Sequence, residues 1–244
     1  VLIGYMISKK VISNIVSKYS LGNHIEQVKW IIEDKKLNIN FINDSKNLVG
    51  FIKYNKDIGL KDGNYGIFNT SQLIKCLNIL DGDILVEANT SKLNLADTNY
   101  EIRFSLADPA VIPSVPSITN PSQFSVSFDI NDEFITRFVK SKDALSELDT
   151  FTVETRDGFT GEELIFTVGT NITNTIEFAV EAKINESFDP VPFDSNLLKE
   201  ILKANRDYDS GEIRISKNGL LDAHFNCGDD LNTGYYLVRK QENN

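Results

Sequence analysis

The sequence predicts an α+β protein made of two topologically similar domains, each with two helices on antiparallel sheet. Three observations support this fold class. Four segments repeat apolar residues at helical spacing, and most of the remaining chain alternates apolar and polar residues as strands do. The order helix, strands, helix, strands occurs twice along the 244 residues. A proline-rich stretch separates the two halves.

The clearest helical pattern lies in residues 195–206. Its apolar residues share one face of the helix: Leu197, Leu198, Ile201 and Leu202. Its basic residues recur at i, i+4 and i+7 on a second face: Lys199, Lys203 and Arg206. We predict three further helices of similar build at residues 7–19, 70–80 and 131–142. Each of them has an apolar face suited to packing on a sheet.

The strand predictions follow the period-two alternation between these helices. In the first half they cover residues 28–32, 37–42, 48–54, 65–68, 83–87, 92–96 and 100–106. In the second half they cover residues 124–130, 150–155, 164–168, 175–184, 210–215, 220–227 and 233–239. The two halves also match locally, because Leu73-Ile74-Lys75 corresponds to Leu197-Leu198-Lys199 in the equivalent helix. This repetition predicts a duplicated domain.

Residues 107–123 differ from the rest of the chain, because they hold four of the six prolines. Proline lacks the N–H donor that a sheet ladder needs. We therefore predict an interdomain connector here, between an N-terminal domain at residues 6–106 and a C-terminal domain at residues 124–242. Val111, Ile112 and Val115 would be exposed on this connector unless another part of the protein covers them.

The net charge of −10 would normally argue against nucleic-acid binding. The charge is, however, sorted by secondary structure, because the four predicted helices carry ten basic residues and only three acidic ones. The basic residues are Lys9, Lys10, Lys18, Lys75, Arg137, Lys140, Lys142, Lys199, Lys203 and Arg206. If the four helices face the same way, an acidic protein presents a basic surface to a polyanion.

No pattern in the sequence predicts catalysis. There is no phosphate loop, zinc-ligand spacing or nucleophile elbow, and the two histidines, His24 and His224, are far apart. We therefore expect no enzyme, no catalytic residue, no cofactor and no metal. No apolar run approaches the roughly 18 residues of a membrane span, so we expect no membrane association.

This layout resembles the DNA sliding clamps, which have the proliferating-cell-nuclear-antigen-like fold. The matching stretches are residues 66–80 leading to 83–86, residues 100–111 with Ala107-Asp108-Pro109, and the closing Gly234-Tyr235-Tyr236-Leu237-Val238. The acidic tail motif of the cellular clamps does not match Gln241-Glu242-Asn243-Asn244. The resemblance is therefore closer to the clamps of T-even-type bacteriophages.

The resemblance implies a ring of three identical subunits that encircles duplex DNA and tethers the replicative polymerase for processive synthesis. It implies weak, sequence-independent DNA contact by the basic helices, opening by an ATP-dependent clamp loader, a link to viral transcription, and a location in the cytoplasm of an infected bacterium. It also places residues 100–105 of one subunit beside residues 175–184 of the next. The implied partner-binding residues are Val111, Ile112, Val115, Tyr235, Tyr236 and Leu237.

Two other classes of protein remain open at this point. A structural β protein of a virion fits the duplicated strands but leaves the charge sorting unexplained. A single-stranded nucleic-acid-binding protein needs exposed aromatic residues among the basic ones, because bases stack on them. The predicted basic faces lack such residues.

Overall fold

The computed structural model describes residues 5–116, 123–158, 161–170 and 172–241. These residues form two compact units. Unit 1 contains residues 5–44, 49–116 and 228–233, and unit 2 contains the other described residues. Residues 117–122 of the predicted connector and residue 242, the predicted end of the C-terminal domain, lie outside the described residues.

Unit 1 is built from two helices and two antiparallel sheets. Its elements are β1 (Met6–Ser8), α1 (Lys9–Ser20), β2 (Val28–Glu33), β3 (Lys36–Ile42), β4 (Leu48–Tyr54), β5 (Gly63–Ile67), α2 (Thr70–Ile79), β6 (Asp83–Ala88), β7 (Lys92–Ala96) and β8 (Glu101–Ser105). One sheet has the order β1-β6-β7-β8, and the other has the order β5-β2-β3-β4. The helices α1 and α2 pack against each other.

Unit 2 has the same construction. Its elements are β9 (Val126–Asp129), α3 (Asp132–Ala144), β10 (Thr150–Asp157), β11 (Glu162–Val168), β12 (Ile176–Val180), β13 (Lys183–Ile184), β14 (Val191–Asp194), α4 (Ser195–Ala204), β15 (Ser210–Ser216), β16 (Leu220–Cys227) and β17 (Leu231–Val238). One sheet has the order β9-β15-β16-β17, with β13 added beside β9, and the other has the order β14-β10-β11-β12.

The two units share one topology. In each, the strand before the first helix pairs with the strand after the second helix, as β1 does with β6 and β9 with β15. In each, the strand after the first helix pairs with the strand before the second, as β2 does with β5 and β10 with β14. The prediction of an α+β protein with two similar units, each of two helices on antiparallel sheet, is confirmed.

The cores lie beneath the helices, as the apolar stripes predict. All four apolar residues of the α4 stripe are at most 2 % exposed. Unit 2 also contains a cluster of phenylalanine rings in edge-on and stacked contact, with Phe138 and Phe151 at a centroid distance of 5.0 Å and Phe166 and Phe178 at 5.7 Å. Phe178 extends this rigid cluster to β12, at the edge of its sheet.

The structure departs from the predicted elements where strand pairing overrides local pattern. Residues 7 and 8, which the periodicity assigns to the first helix, belong to β1, which pairs with β6. The predicted strand at residues 175–184 divides into β12, which pairs with β11, and β13, which pairs with β9. Strand β14 has no counterpart among the predicted strands, because it has four residues and contains Pro192. Such short strands depend on their partners, which a local window does not contain.

The first part of the predicted connector packs on unit 1. Ala107 forms a β-bridge with Gly66, and residues Pro109–Val111 form a single 3₁₀ turn. A Cβ atom on residue 66 would lie 2.5 Å from the Ala107 carbonyl oxygen, so glycine allows this close approach. Ile112 is only 6 % exposed. Ile112 is therefore a connector residue that unit 1 covers, whereas the exposed Val111 is not covered.

We predict that Tyr235→Phe lowers the free energy of unfolding by about 1–3 kcal/mol. Tyr235 is fully buried, and its hydroxyl oxygen accepts a hydrogen bond of 2.9 Å from Asn205 Nδ2, which also donates to the Ile201 carbonyl. Removing the hydroxyl leaves a buried amide N–H without this acceptor. Urea unfolding measures the change, and Tyr236→Phe on the outward side of the same strand is the control. Equal effects of the two substitutions would contradict this account.

Candidate nucleic-acid interface

The helix pair of unit 1 presents two basic side chains to solvent. The face of α1 that carries Ile12, Ile15 and Val16 is buried, and Lys10 lies on the exposed side. Lys75 is exposed on α2. Neither lysine forms an ion pair with any residue in the described part of the chain.

Two other lysines of α1, which the sequence predicts to face DNA, do not extend freely into solvent. Lys18 is fully buried, because it lies three residues after Ile15 at the margin of the packed face. Its prediction as a DNA-facing residue is wrong. Lys9 is half-buried, and its ammonium group donates a hydrogen bond to the carbonyl of Leu80, the residue that ends α2. Lys9 therefore connects the two helices and also places its positive charge at the negative end of the α2 dipole.

The helix pair of unit 2 is arranged similarly, since α3 and α4 pack against each other. Lys140 on α3 and Arg206, just beyond the end of α4, are exposed and have no ion-pair partner among the described residues. Lys142 is 2 % exposed, and its ammonium group donates a 2.6 Å hydrogen bond to the Ser146 carbonyl. Lys142 therefore satisfies a carbonyl after the last turn of α3, and its prediction as a DNA-facing residue is wrong.

Three remaining basic residues of unit 2 are paired with acids. Lys199 on α4 forms an ion pair with Asp143 on α3. The hydrogen bond from the Lys199 ammonium group holds the pKa of the Asp143 carboxyl below its usual range, so this carboxyl is ionised at neutral pH. Lys203 lies 3.2 Å from Glu200, one helical turn earlier.

The positive charge of Arg137 on α3 is also neutralised by an acidic neighbour. It pairs with Glu133 at 2.5 Å, and it also donates to the Ala179 carbonyl on β12 at 3.4 Å. Arg137 therefore lies by the edge of a sheet as well as on a helix.

The ten predicted DNA-facing residues thus differ in the charge they can offer to a ligand. The four exposed residues without an acidic partner among the described residues are Lys10, Lys75, Lys140 and Arg206. Lysine and arginine side chains at solvent-exposed helix positions can approach phosphates through flexible stems and without reading bases. The acidic partners Asp143, Glu133 and Glu200 reduce the attraction at the other exposed positions. The helices therefore suit a weak, sequence-independent contact with a polyanion.

The six predicted partner-binding residues also divide by exposure. Val111 is 59 % exposed, and Val115 is half-buried. Ile112, Tyr235 and Leu237 are buried, so their prediction as contact residues is wrong for this conformation. The alternation of β17 explains the last two, because Thr233, Tyr235 and Leu237 share its inward face. Tyr236 points the other way and is half-buried.

Tyr236 is held by a polar cluster on the outer face of its sheet. Its ring contacts His224 edge-on, and His224 Nε2 lies 2.5 Å from a carboxylate oxygen of Asp222. Asp222 is fully buried and also accepts a hydrogen bond from Arg214. Burial raises the pKa of the Tyr236 phenol, and the Asp222 charge raises it further. The hydroxyl therefore remains protonated at neutral pH and can donate to a partner.

Two strand edges have hollows beside them, which local sequence patterns do not predict. Beside β8 lies a mainly apolar cavity of about 490 Å³, lined among others by Phe68, Cys76 and Ile102. Beside β12 lies a more polar cavity of about 220 Å³, lined by Phe134 and Phe178 together with charged side chains such as Glu133, Arg137 and Glu181. Phe68 is 51 % exposed, which is unusual for a large aromatic side chain. The position of Phe68 just before α2 is the only feature of the local sequence that points to this hollow. The strand edges cannot be recognised locally, because they depend on the order of the strands in the sheet.

The described residues contain no cluster of three or more histidine, cysteine, aspartate or glutamate side chains that could hold a metal ion. Among them, no helix has the length and apolar composition needed to cross a membrane.

No protein-family model matches this chain, and no curated protein matches it. Solved structures do show the fold. The chain of A. fulgidus PCNA bound to the C-terminal region of FEN-1 is similar with a TM-score of 0.73 and 14 % identity, covering 98 % of both chains. A chain of the PCNA2–PCNA3 complex from Sulfolobus tokodaii is similar with a TM-score of 0.71 and 14 % identity, and the similarity covers 97 % of this chain and 99 % of the other. Proliferating cellular nuclear antigen from Entamoeba histolytica is similar with a TM-score of 0.72 and 16 % identity, and the similarity covers 98 % of both chains. The protein has the fold of PCNA-like sliding clamps.

We predict that Lys142→Ala lowers the free energy of unfolding by about 1 kcal/mol or more, because it leaves the Ser146 carbonyl without its donor. Lys140→Ala, two residues earlier on the same helix, should change stability by less than about 0.5 kcal/mol, because Lys140 is exposed. Urea unfolding of the two variants checks the assignment. A larger loss of stability for Lys140→Ala would show that the burial of the two side chains is reversed.

Proposed function

We propose that this protein is a DNA sliding clamp. Three copies close into a ring around duplex DNA and tether the replicative polymerase for processive synthesis, without catalysing a reaction. The observation that carries the proposal is the repeated unit of two helices and two sheets, which has the architecture of PCNA over almost the whole chain. In the proposed ring the helices line the hole and the strands form the outer shell.

The charge distribution supports this role. The uncompensated cations Lys10, Lys75, Lys140 and Arg206 lie on or next to helices. The four helices carry only four of the 35 acidic residues, Asp132, Glu133, Asp143 and Glu200, so most of the acidic residues lie in the proposed shell of strands and turns. A shell of that sign repels DNA from the outside of the ring. A few phosphate contacts inside the hole are enough to retain DNA and weak enough to let the ring slide.

The uncovered edges support assembly into a homotrimer. A ring of identical subunits needs two different surfaces on each copy, which join head to tail. The edges of β8 and β12, each with a hollow beside it, supply two such surfaces. An exposed strand edge with unpaired N–H and C=O groups readily pairs with another strand.

Partner proteins would bind the outside of the ring. In A. fulgidus PCNA the bound partner is the C-terminal region of FEN-1. For this chain we assign polymerase contact to Val111 and Val115 in unit 1 and to Tyr236 in unit 2, because these members of the predicted set reach the surface. We further propose that an ATP-dependent clamp loader opens the ring and that the protein comes from a T-even-type bacteriophage. It would act in viral replication and transcription in the cytoplasm of the infected host, without binding a membrane.

The two alternative functions are less well supported. A single-stranded nucleic-acid-binding protein needs aromatic rings among its exposed cations, and among the described residues no tyrosine, phenylalanine or tryptophan is strongly exposed on the four helices. A virion β protein does not need uncompensated cations on its helices. Sedimentation at high protein concentration is a first test, because the proposed ring has the mass of three 27.4 kDa chains.

We predict that Lys140→Glu with Arg206→Glu weakens the retention of the loaded ring on DNA. Removing one phosphate contact lowers the slope of log affinity against log salt by about 0.9, and a trimer carries each substitution three times. Processive synthesis across a salt series measures the slope. Lys199→Ala should have a smaller effect, because Asp143 already compensates this lysine.

The matched control for this prediction is Lys46→Glu with Lys61→Glu. Both lysines are exposed and lie outside the helices and strands, and the control changes the net charge by the same amount. Stability should remain within about 0.5 kcal/mol per exposed site in all these variants. If the helix variants and the control shift the salt slope equally, the helices do not face DNA.

We predict that Val111→Asp weakens binding of a polymerase-derived peptide by about tenfold or more, because it places a charge in an apolar contact. Val111 is exposed, so the fold should be unaffected. Ile112→Asp is the contrasting variant, since it buries a charge and should destabilise unit 1. Fluorescence anisotropy with a labelled peptide and thermal unfolding give the two readouts. Unchanged peptide affinity in folded Val111→Asp would move the contact elsewhere.

A further inference from the structure

We infer the register in which two copies join: β8 of one copy pairs antiparallel with β12 of the next, with Arg103 directly opposite the partner subunit's Glu177. This inference rests on the proposed ring and adds to it the residue-to-residue alignment. It also identifies an ion pair that selects this alignment over the competing one.

The choice of strands follows from which edges are available. Strands β4 and β17 are interior strands and offer no free edge. The edge of β14 is covered by the Lys240 N–H, which donates to the Pro192 carbonyl at 2.9 Å, and the edge of β5 is covered by the Gly66–Ala107 bridge. Strands β1 and β13 have three and two residues. Among the described strands, β8 and β12 are therefore the two long edges that remain, with five residues each.

The faces of the two strands limit how they can align. On β8, Phe104 is buried, while Glu101 and Arg103 are exposed on the opposite face. On β12, Phe178 packs in the phenylalanine cluster, while Glu177 faces outward, where it pairs with Arg156 at 2.9 Å. A continuous sheet with one apolar face requires inner residues opposite inner residues. Because side chains alternate with a period of two, only alignments that differ by two residues satisfy this requirement.

Two face-matched alignments keep most of the two strands paired. In the first, Arg103 lies opposite Glu177, Glu101 lies opposite Ala179, and Ile102 lies opposite Phe178. In the second, Arg103 lies opposite Ala179, and Glu101 meets Glu181 just beyond the end of β12. Further shifts leave most of each strand unpaired, so they sacrifice most of the ladder hydrogen bonds.

Charge decides between these two alignments. Opposite charges directly across an antiparallel pair are stabilising, and like charges in that position are destabilising. The first alignment has an Arg–Glu pair and no like-charge pair, whereas the second has a Glu–Glu pair. Arg103 already pairs with Glu101 of its own strand at 2.8 Å, and in the first alignment it also reaches Glu177, which keeps its own Arg156. The hydrogen bond from Arg156 already holds the pKa of Glu177 below its usual range, so Glu177 is ionised when the partner arrives.

Disulfide trapping tests the register directly. In a chain with Cys76→Ser and Cys227→Ser, we compare Glu101→Cys/Ala179→Cys with Arg103→Cys/Ala179→Cys. Directly opposed residues have Cα atoms about 4.5–5.5 Å apart, which suits a disulfide. Diagonal residues are about 7–8 Å apart and do not suit one. We expect oxidation with copper–phenanthroline to cross-link copies through residues 101 and 179, and little cross-linking through 103 and 179.

The outcomes separate this inference from the proposed function. Preferential cross-linking through 103 and 179 overturns the register but leaves a ring built on these edges. A trimer that is cross-linked by neither pair overturns both the register and the choice of edges, while the ring survives. A chain that stays monomeric at all concentrations overturns the ring and the inference together.

A second measurement does not depend on introduced cysteines. Arg103→Ala should weaken assembly by about threefold per interface, as is usual for an exposed ion pair. Three interfaces would multiply this to roughly 30-fold in the trimer dissociation constant. Lys61→Ala, an exposed lysine outside both strands, should leave assembly unchanged. Equal assembly of Arg103→Ala and the parent protein would show that Arg103 has no role in pairing.

Discussion

The pairing of the strand before the first helix with the strand after the second helix is the constraint on which each unit depends. In unit 1, β1 leads directly into α1 and pairs with β6, which follows α2. The Lys9 N–H donates to the Gly82 carbonyl at 3.0 Å, so the start of one helix is tied to the end of the other. In unit 2, the Ile130 N–H donates to the Gly211 carbonyl at 2.8 Å at the equivalent place. These ties bring two helices that are distant in sequence side by side.

This arrangement gives the helix side chains two different roles. Side chains near the tie, such as Lys9, are used within the protein, where they satisfy carbonyls at the helix ends. Side chains on the exposed faces of the same helices, such as Lys10 and Lys140, have no acidic partner in the part of the chain that the structure describes. A ligand that binds the helices therefore meets cations on flexible stems with no fixed geometry. That property favours phosphate attraction over base recognition.

The fold could be predicted from the sequence to a large extent, because periodicity and repetition are local or nearly local signals. The stripe of Leu197, Leu198, Ile201 and Leu202 was sufficient to orient α4, and all four residues are buried. The site was less predictable. Lys18 and Lys142 carry the right charge on the right helices, yet both are buried, because a lysine stem at the margin of an apolar face is easily covered.

Tyr235 and Tyr236 show the same limit on a strand. They are adjacent in sequence and identical in type, yet one is in the core and the other faces outward. Only the register of β17 separates them, and register depends on neighbouring strands. The uncovered edges were also invisible to a local pattern, because an edge is defined by the partner that a strand lacks.

The proposed function requires two kinds of contact of different strength, one made by the helix cations and the other by the strand edges. In the proposed ring, contact with DNA must be weak, since a ring that slides has to break and remake its phosphate contacts at every step. Contact between the proposed subunits must be strong, since such a ring retains DNA only while it is closed. The chain meets the first demand with isolated exposed cations, several of which are neutralised by neighbouring acids such as Asp143 and Glu133. It can meet the second with backbone ladders and rigid aromatic side chains such as Phe178, whose ring is already ordered by its own core. Retention on DNA would then depend mainly on closure of the ring, and the affinity of any single phosphate contact could remain low.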